Sequence, residues 1–270
     1  MEGMTPPALI ASDLDGTLLR TDKTVGPRTL AALDRVRERG IPFVMVTGRP
    51  IRWLDDVFAF TGLPPALTVC SNGAVIYDAG ADRVVEHRPL VPELLADVVE
   101  RLRGQYTDVA FAAETDHGLR HEAHYPVAEV SPKVRPGQLA ELIAEPAIKL
   151  LARLDGAPDA VAAQIAGSLS GVAEVTRSSQ DCLIEISAAG VTKATGLAWV
   201  ARRYGVAPED ILAFGDMPND LPMFGYVGRS VAMANAEPAV RAAADTVTAS
   251  NDDEGVADYL DSLFAPASVD

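Results

Sequence analysis

Short apolar runs recur along this chain, and several stop abruptly at small or polar residues. Leu9, Ile10 and Ala11 form the first run and predict a buried strand that ends at Ser12. Pro27 suits a first helical turn, Leu30, Leu33 and Val36 supply an apolar stripe, and Gly40 closes the segment, so a helix follows. Residues 41–46 repeat the strand pattern and end at Thr47-Gly48-Arg49. A helix over about 50–60, stopped at Gly62, leads to a third strand over 66–70, which ends at Ser71-Asn72-Gly73. Strands that each end in polar groups, with helices between them, describe a βαβ series with one functional edge.

The rhythm changes near Ala74. Residues 75–77 and 83–86 flank Asp78, Gly80 and Asp82 and predict a β-hairpin. A helix over 92–103 follows, then a polar, histidine-bearing section to Gly137, a strand over 148–154, an alanine-rich helix over 158–169, and strands over 172–177 and 182–187. Residues 83–187 therefore read as an inserted α+β domain. The βα rhythm resumes with a helix over 193–204 and a strand over 211–214, followed by Gly215-Asp216-Met217-Pro218-Asn219-Asp220. Further strands near 230–233 and 246–248 and helices starting at Pro238 and Glu254 complete it. The predicted fold is α/β, a Rossmann-like parallel-sheet core over residues 1–82 and 188–270 with the α+β domain set into it.

Composition narrows the function. A chain of 270 residues, 48% of them apolar, is globular and long enough for two domains. A formal net charge of −15 argues against a nucleic-acid partner and against an anionic membrane surface, while leaving room for a local cationic site. Cys70 and Cys182 stand far apart, so reduced thiols are expected instead of a disulfide framework. The N-terminal stretch lacks a basic region followed by a long apolar one, and no apolar run reaches membrane-spanning length. A cytoplasmic protein is the expectation.

The chemistry concentrates at the strand ends. Asp13 and Asp15 follow the first strand, and Gly16 then permits a turn or a close approach. Carboxylates about 4 Å apart repel by roughly 4 kcal/mol at an effective dielectric of 20, so a cation or a shared proton is expected. Ordinary turn chemistry is the bland alternative for these residues. A calcium loop with Asp13, Asp15, Gly16 and Asp22 at positions 3, 5, 6 and 12 is rejected, because Ala11 would be its first ligand and a strand precedes it. In a parallel sheet the two acids can converge with Thr47, Asn72, Asp216, Asn219 and Asp220, and with Lys193 at a helix start. Hard carboxylates suit Mg2+. A lysine, a threonine hydroxyl and backbone N–H groups suit a phosphate. Together with an aspartate nucleophile they describe phosphoryl transfer through an aspartyl-phosphate.

These residues closely resemble the haloacid dehalogenase-like hydrolase superfamily. DLDGTLL from Asp13 is similar to its first motif, Thr47 to its second, Lys193 to its third and GDMPND from Gly215 to its fourth. TGR, SNG, the large insertion, Met233-Ala234-Asn235-Ala236 and SNDDEGVA from Ser250 are similar to its Cof-type phosphatase branch. The resemblance implies Asp13 as nucleophile and Asp15 as the acid that protonates the leaving oxygen and then activates water. It implies Mg2+ held by Asp13, the Asp15 backbone carbonyl and Asp216. Thr47, Gly48 and Lys193 would grip the phosphoryl group, Asn219 would assist at the substrate edge and Asp220 would orient Lys193. Asp15 is expected to start protonated and Asp13 ionised. The inserted domain would be a cap that supplies substrate contacts.

Bland readings remain for single residues: Lys193 as a helix start, Asn72 as a turn residue, Arg49 as a solvated group instead of a phosphate contact. Trp53 and Trp199 lie in helical patterns and are expected in the core. His117, His121 and His124 lack zinc-ligand spacing and read as a surface loop. The leading functional expectation is a Mg2+-dependent phosphatase of small phosphorylated metabolites, sugar phosphates first. A phosphomutase or phosphotransferase would pass the phosphoryl group to a second hydroxyl. A non-catalytic phosphate-binding module would need neither nucleophile nor acid–base, and a receiver domain would lack the second acid and the insertion.

Overall fold

The computed structural model describes residues 5–61, 66–127, 129–154, 159–177 and 183–265. The chain divides into two compact units, Met1–Val85 with Lys193–Asp270, and Glu86–Thr192. In the first unit β1 (Leu9–Ser12) leads to α1 (Pro27–Glu38), β2 (Phe43–Val46), α2 (Leu54–Thr61), β3 (Leu67–Cys70), β4 (Val75–Asp78) and β5 (Arg83–His87). The second unit carries α3 (Pro92–Gln105), β6 (Ala110–Thr115), β7 (Gly118–His121), β8 (Val134–Pro136), α4 (Leu139–Leu142), β9 (Lys149–Arg153), α5 (Asp159–Ser168), β10 (Ala173–Thr176) and β11 (Leu183–Ala188). The first unit resumes with α6 (Lys193–Tyr204), β12 (Ile211–Gly215), α7 (Leu221–Phe224), β13 (Arg229–Ala232), α8 (Pro238–Ala243), β14 (Thr246–Val247) and α9 (Gly255–Phe264).

The first sheet has the order β14-β13-β12-β1-β2-β3-β4-β5. It is parallel from β14 to β3, and β4 then runs antiparallel to β3. Strand order therefore reverses at β1, which lies between β2 and β12, and such a switch point at the carboxyl ends of the strands is where open α/β sheets bind ligands. Both faces are apolar, as buried parallel strands require. Ile10, Met45, Leu212 and Phe214 pack with α1 and α9 on one side, while Leu9, Ala11, Val44, Val69 and Ala213 pack with α6 on the other. The chain passes between the units at Val85–Glu86 and Thr192–Lys193, within a few residues of the expected 83 and 187. β5 still belongs to the first sheet, and after β11 the amide of Gly190 bonds the Glu174 side chain while that of Val191 bonds Ala188.

The second unit has its own sheet, ordered β10-β11-β9-β6-β7-β8. Phe111, Ala113, Leu150, Ala152, Ile184 and Ile186 pack on one face against α3, α4 and α5. The opposite face carries a buried Lys149–Glu185 ion pair at 2.6 Å. His121 lies in β7, whereas His117 and His124 are exposed in turns, and no histidine joins an acidic or thiol cluster with metal-holding geometry among the described residues. Trp199 is partly buried against the core, but Trp53, expected there, is 38% exposed. It ends a 3-10 turn ahead of α2, so helical spacing does not apply to it, and the Arg52 guanidinium lies 4.8 Å from its ring centroid. Gly62, Pro158 and Cys182 lie outside the described residues. No helix among those residues is long and apolar enough to cross a membrane.

Candidate active site

The pairing of β1 with β12 continues one residue past the strand, because the Asp13 amide donates to the carbonyl of Phe214 at 3.0 Å. That ladder bond fixes where the Asp13 side chain begins. Leu14, Leu18 and Leu19 then turn into the core and pull the chain into a tight loop. On a continuing strand Asp13 and Asp15 would share a face; the loop separates them, and each acquires its own partners.

Asp13 is buried, and its Oδ1 accepts from Lys193 Nζ at 2.6 Å. The same ammonium donates to Asp220 Oδ1 at 2.7 Å. Lys193 is 1% exposed at the start of α6, where burial alone would lower its pKa; Asp13 and Asp220 outweigh that and raise it, so it stays a cation. Its helix reaches this place because Gly196 lets α6 close on β3 and the Ser71–Gly73 turn; a Cβ there would come within 2.9 Å of the Gly73 Cα. Asp220 Oδ2 accepts from the amides of Asp216 and Met217 at 3.0 and 3.1 Å. Both oxygens of Asp220 are thus committed, which makes it an orienting group for Lys193.

Asp216, directly after β12, accepts at Oδ1 from the Thr17 hydroxyl at 2.9 Å. Carboxylate oxygens of Asp13, Asp216 and Asp220 lie within 4.8 Å of one another. Burial first, then the charge of Asp220, pushes the Asp216 pKa up to about 7. Burial likewise raises Asp13 well above the usual carboxylate range, with Lys193 opposing and Asp220 and Asp216 adding. The second oxygens of Asp13 and Asp216 carry no hydrogen bond among the described residues. The donor set is all hard oxygen and short of positive charge, so it fits a divalent cation of the Mg2+ kind. Gly16, at φ +80°, lies under Asp216, and a Cβ on it would come 2.3 Å from Oδ2. Gly16→Ala is therefore expected to cost roughly 1–3 kcal/mol in backbone strain and to displace the carboxylate. Denaturant unfolding alongside a phosphatase assay checks this, and wild-type values in both would refute the close packing.

Asp15 has the opposite environment. Its carboxylate is 39% exposed and accepts from Arg49 Nε and Nη2, both at 2.6 Å, and from Lys23 Nζ at 2.8 Å. Burial works to raise its pKa, but Arg49 and Lys23 outweigh that and hold it below the ordinary value. The protein's own groups therefore favour an ionised Asp15, against the expectation that it starts protonated. A bidentate arginine and a lysine recruited from 34 and 8 residues away stabilise the ionised form.

The remaining groups come from the ends of β2 and β3. The buried Thr47 hydroxyl accepts from the Arg49 amide at 3.0 Å, which leaves its own proton to donate elsewhere. The Asn72 amide bonds the Thr47 carbonyl and the Ser71 amide bonds that of Arg49, each at 3.0 Å, so Thr47-Gly48-Arg49 and Ser71-Asn72-Gly73 form one braced pair of loops. Ser71 and Asn72 both have positive φ, a strained arrangement that clusters at ligand sites. Asn219 Nδ2 donates to Asn72 Oδ1 at 3.1 Å, while the buried Asn219 Oδ1 and Ser71 Oγ find no partner among the described residues. Asn72 is both a turn residue and a contact of Asn219. Every residue expected at the site thus lies at one edge of the first unit's sheet, Gly48 through its chain neighbours. Sequence reasoning missed Lys23, Thr17 and Ser71. Thr17 and Ser71 lie inside the quoted DLDGTLL and SNG stretches; Lys23 has no signal, because its partner is set by the loop's path.

The family profile for haloacid dehalogenase-like hydrolases matches residues 10–260. Over 97% of its length this chain is 32% identical to the 5-amino-6-(5-phospho-D-ribitylamino)uracil phosphatase of Bacillus subtilis, 99% of which is covered. It is 31% identical to the pyridoxal phosphate phosphatase of Escherichia coli, with 93% of this chain and 97% of that one covered. A phosphatase of the haloalkanoate superfamily from Bacteroides thetaiotaomicron superposes with a TM-score of 0.82 at 27% identity, covering 97% of this chain and 99% of the other. The motifs, the switch-point site and these matches agree: the chain belongs to the haloacid dehalogenase-like hydrolases and is an enzyme of their Cof-type phosphatase branch.

Proposed function

We propose that this enzyme is a Mg2+-dependent phosphatase of small phosphorylated metabolites that works through an aspartyl-phosphate on Asp13. The observation that carries the reading is the buried set of Asp13, Asp216 and Asp220 around one cation, Lys193, with Asp13 left one uncommitted oxygen. Asp13, Asp216 and the backbone carbonyl of Asp15 would hold Mg2+. When bound, the ion would offset the charge on the nucleophile and on the phosphoryl oxygens.

Lys193 holds Asp13 Oδ1, so Oδ2 is the oxygen that attacks phosphorus. The bond from Oδ2 to phosphorus forms as the bond to the leaving oxygen breaks. Thr47 donates its free hydroxyl proton to a phosphoryl oxygen. The incoming dianion competes for Arg49 and Lys23, which loosens Asp15 from its clamp; freed of it, Asp15 takes up a proton from solvent and gives that proton to the leaving oxygen as its bond to phosphorus breaks. Asp15 then takes a proton from water, which attacks phosphorus and returns Asp13. Glu86–Thr192 is read as the family's inserted cap domain.

The two named relatives act on quite different molecules that share a phosphate monoester, which supports a small phosphoester as the substrate class here. A panel including sugar phosphates, pyridoxal phosphate and phosphoribityl compounds, ranked by kcat/KM, tests that class. Flat, weak kcat/KM across the panel would count against it. For the metal, Asp216→Ala is expected to lose roughly 10²- to 10³-fold in kcat, the scale for one preorganised charge-stabilising group. Full activity after chelation and dialysis would overturn the metal assignment.

A further inference from the structure

Two asparagines outside the catalytic set form a continuous relay against the nucleophile loop. Asn235, in the loop after β13, donates from Nδ2 to the Gly16 carbonyl at 2.8 Å. Its Oδ1 accepts from the Asn251 amide at 3.0 Å. Asn251, after β14 and buried, donates from its own Nδ2 to the Leu19 carbonyl at 2.9 Å. Both ends of the turn over residues 16–19 are thus pinned by one pair of side chains reaching more than 200 residues back along the chain.

We propose that Asn235 and Asn251 are positioning residues that hold this turn in register for the cation site. The inference rests on the reading of that site as a Mg2+ centre.

Three observations carry it. First, both polar atoms of the Asn235 amide are engaged by backbone groups, one in the turn and one at Asn251, so the side chain is held in a single orientation between them. Second, Gly16, whose carbonyl it grips, lies so close beneath Asp216 that there is no space for even a Cβ. Any shift of Gly16 is therefore felt by that carboxylate and by the adjoining Asp15 carbonyl. Third, the same loop fastens the next residues independently. Thr21 bonds Asp252 through both its amide and its hydroxyl, each at 2.8 Å, and Arg20 pairs with Glu254 at 2.7 Å. Residues 251–254 thus act as a template along residues 19–21, and the asparagine relay is the part that extends to Gly16.

A misplacement of about 1 Å at a reacting centre can cost about 10²-fold in rate. Asn235→Ala is expected to weaken Mg2+ binding, measured calorimetrically with Mg2+ alone, by about tenfold or more. It should lower kcat about 10- to 100-fold with KM for a phosphate ester near wild type. Because the relay is one unit, Asn235→Ala combined with Asn251→Ala should cost little more than the worse single change. Thr21→Val, which removes the hydroxyl bond of the neighbouring fastening and keeps its amide bond, should leave Mg2+ affinity unchanged. Asn251 is buried and its alanine variant can fail to fold; Asn235 is exposed, so Asn235→Ala decides alone in that case. A folded Asn235→Ala protein with wild-type Mg2+ affinity and kcat overturns the proposal, as does equal weakening by Thr21→Val. A wild-type protein that binds no Mg2+ overturns the parent reading instead, so the two failures are distinguishable.

Discussion

Asp13→Asn and Asp15→Asn are expected to fail at different points of one reaction. The Asp13 change removes the proposed nucleophilic oxygen while keeping the size of the side chain, so both turnover and phosphoenzyme should vanish, with kcat down by more than about 10⁴-fold. The Asp15 change leaves the nucleophile and its Lys193 contact in place. With an aryl phosphate the leaving group needs little protonation, so the first step proceeds. Hydrolysis still needs a base for water, a contribution of typically about 10²- to 10⁴-fold. Phosphoenzyme should therefore accumulate in Asp15→Asn and be discharged by hydroxylamine, as an acyl-phosphate is. Acid-quenched samples analysed by intact and peptide mass spectrometry give the result. Phosphate found on a residue other than Asp13, or retained by the Asp13→Asn protein, would remove Asp13 from its role.

The second large effect is on stability. Lys193→Met leaves the buried carboxylates of Asp13 and Asp220 facing each other with their shared cation gone. Breaking a buried pair by removing one partner costs roughly 3–5 kcal/mol, because the remaining charge stays out of water. Lys193 has a folded pKa raised above its unfolded value. Its contribution is therefore fully present below the ordinary lysine value of about 10.4 and is lost only as pH rises through the still higher folded one. The penalty should thus be in force at neutral pH and shrink towards acid, where the stranded Asp13 carboxylate, already raised by burial, takes up a proton. Urea unfolding of the metal-free proteins at several pH values measures it. Adding Asp220→Asn to Lys193→Met should recover part of the loss. A Lys193→Met protein as stable as wild type at neutral pH would mean that the triad is not held as a compensated set.

Much of the first sheet can be read from the chain because each strand is a short apolar run with a sharp polar end. α6 runs from Lys193 to Tyr204, as its periodicity predicts, since a lysine opens an apolar stripe and Gly205 ends it. The hairpin over 75–86 is equally visible in its turn residues, but its second strand, expected in the inserted domain, belongs to the first sheet. Four-residue helices such as α4 and α7 are too short to establish a period, and no expectation covered them. Trp53 was misplaced because a 3-10 turn has a different repeat from the helix it precedes.

The identity of the site was set locally: carboxylates, a threonine, a lysine and asparagines at strand ends, each placed by where an apolar run stops. What those groups do to one another was decided only by the tertiary structure. Asp13 and Asp15 are two residues apart, yet one is buried against Lys193 and the other clamped by Arg49 and Lys23. Their proton preferences follow from those partners and from burial, and neither is a property of the local chain. Asn235 and Asn251 stand in motifs the sequence displays, but their hold on Gly16 and Leu19 exists only because β13 and β14 end beside β12 and β1. Hydrophobic period and turn chemistry act over a few residues, whereas charge and hydrogen bonding act across whatever the fold brings within about 3 Å.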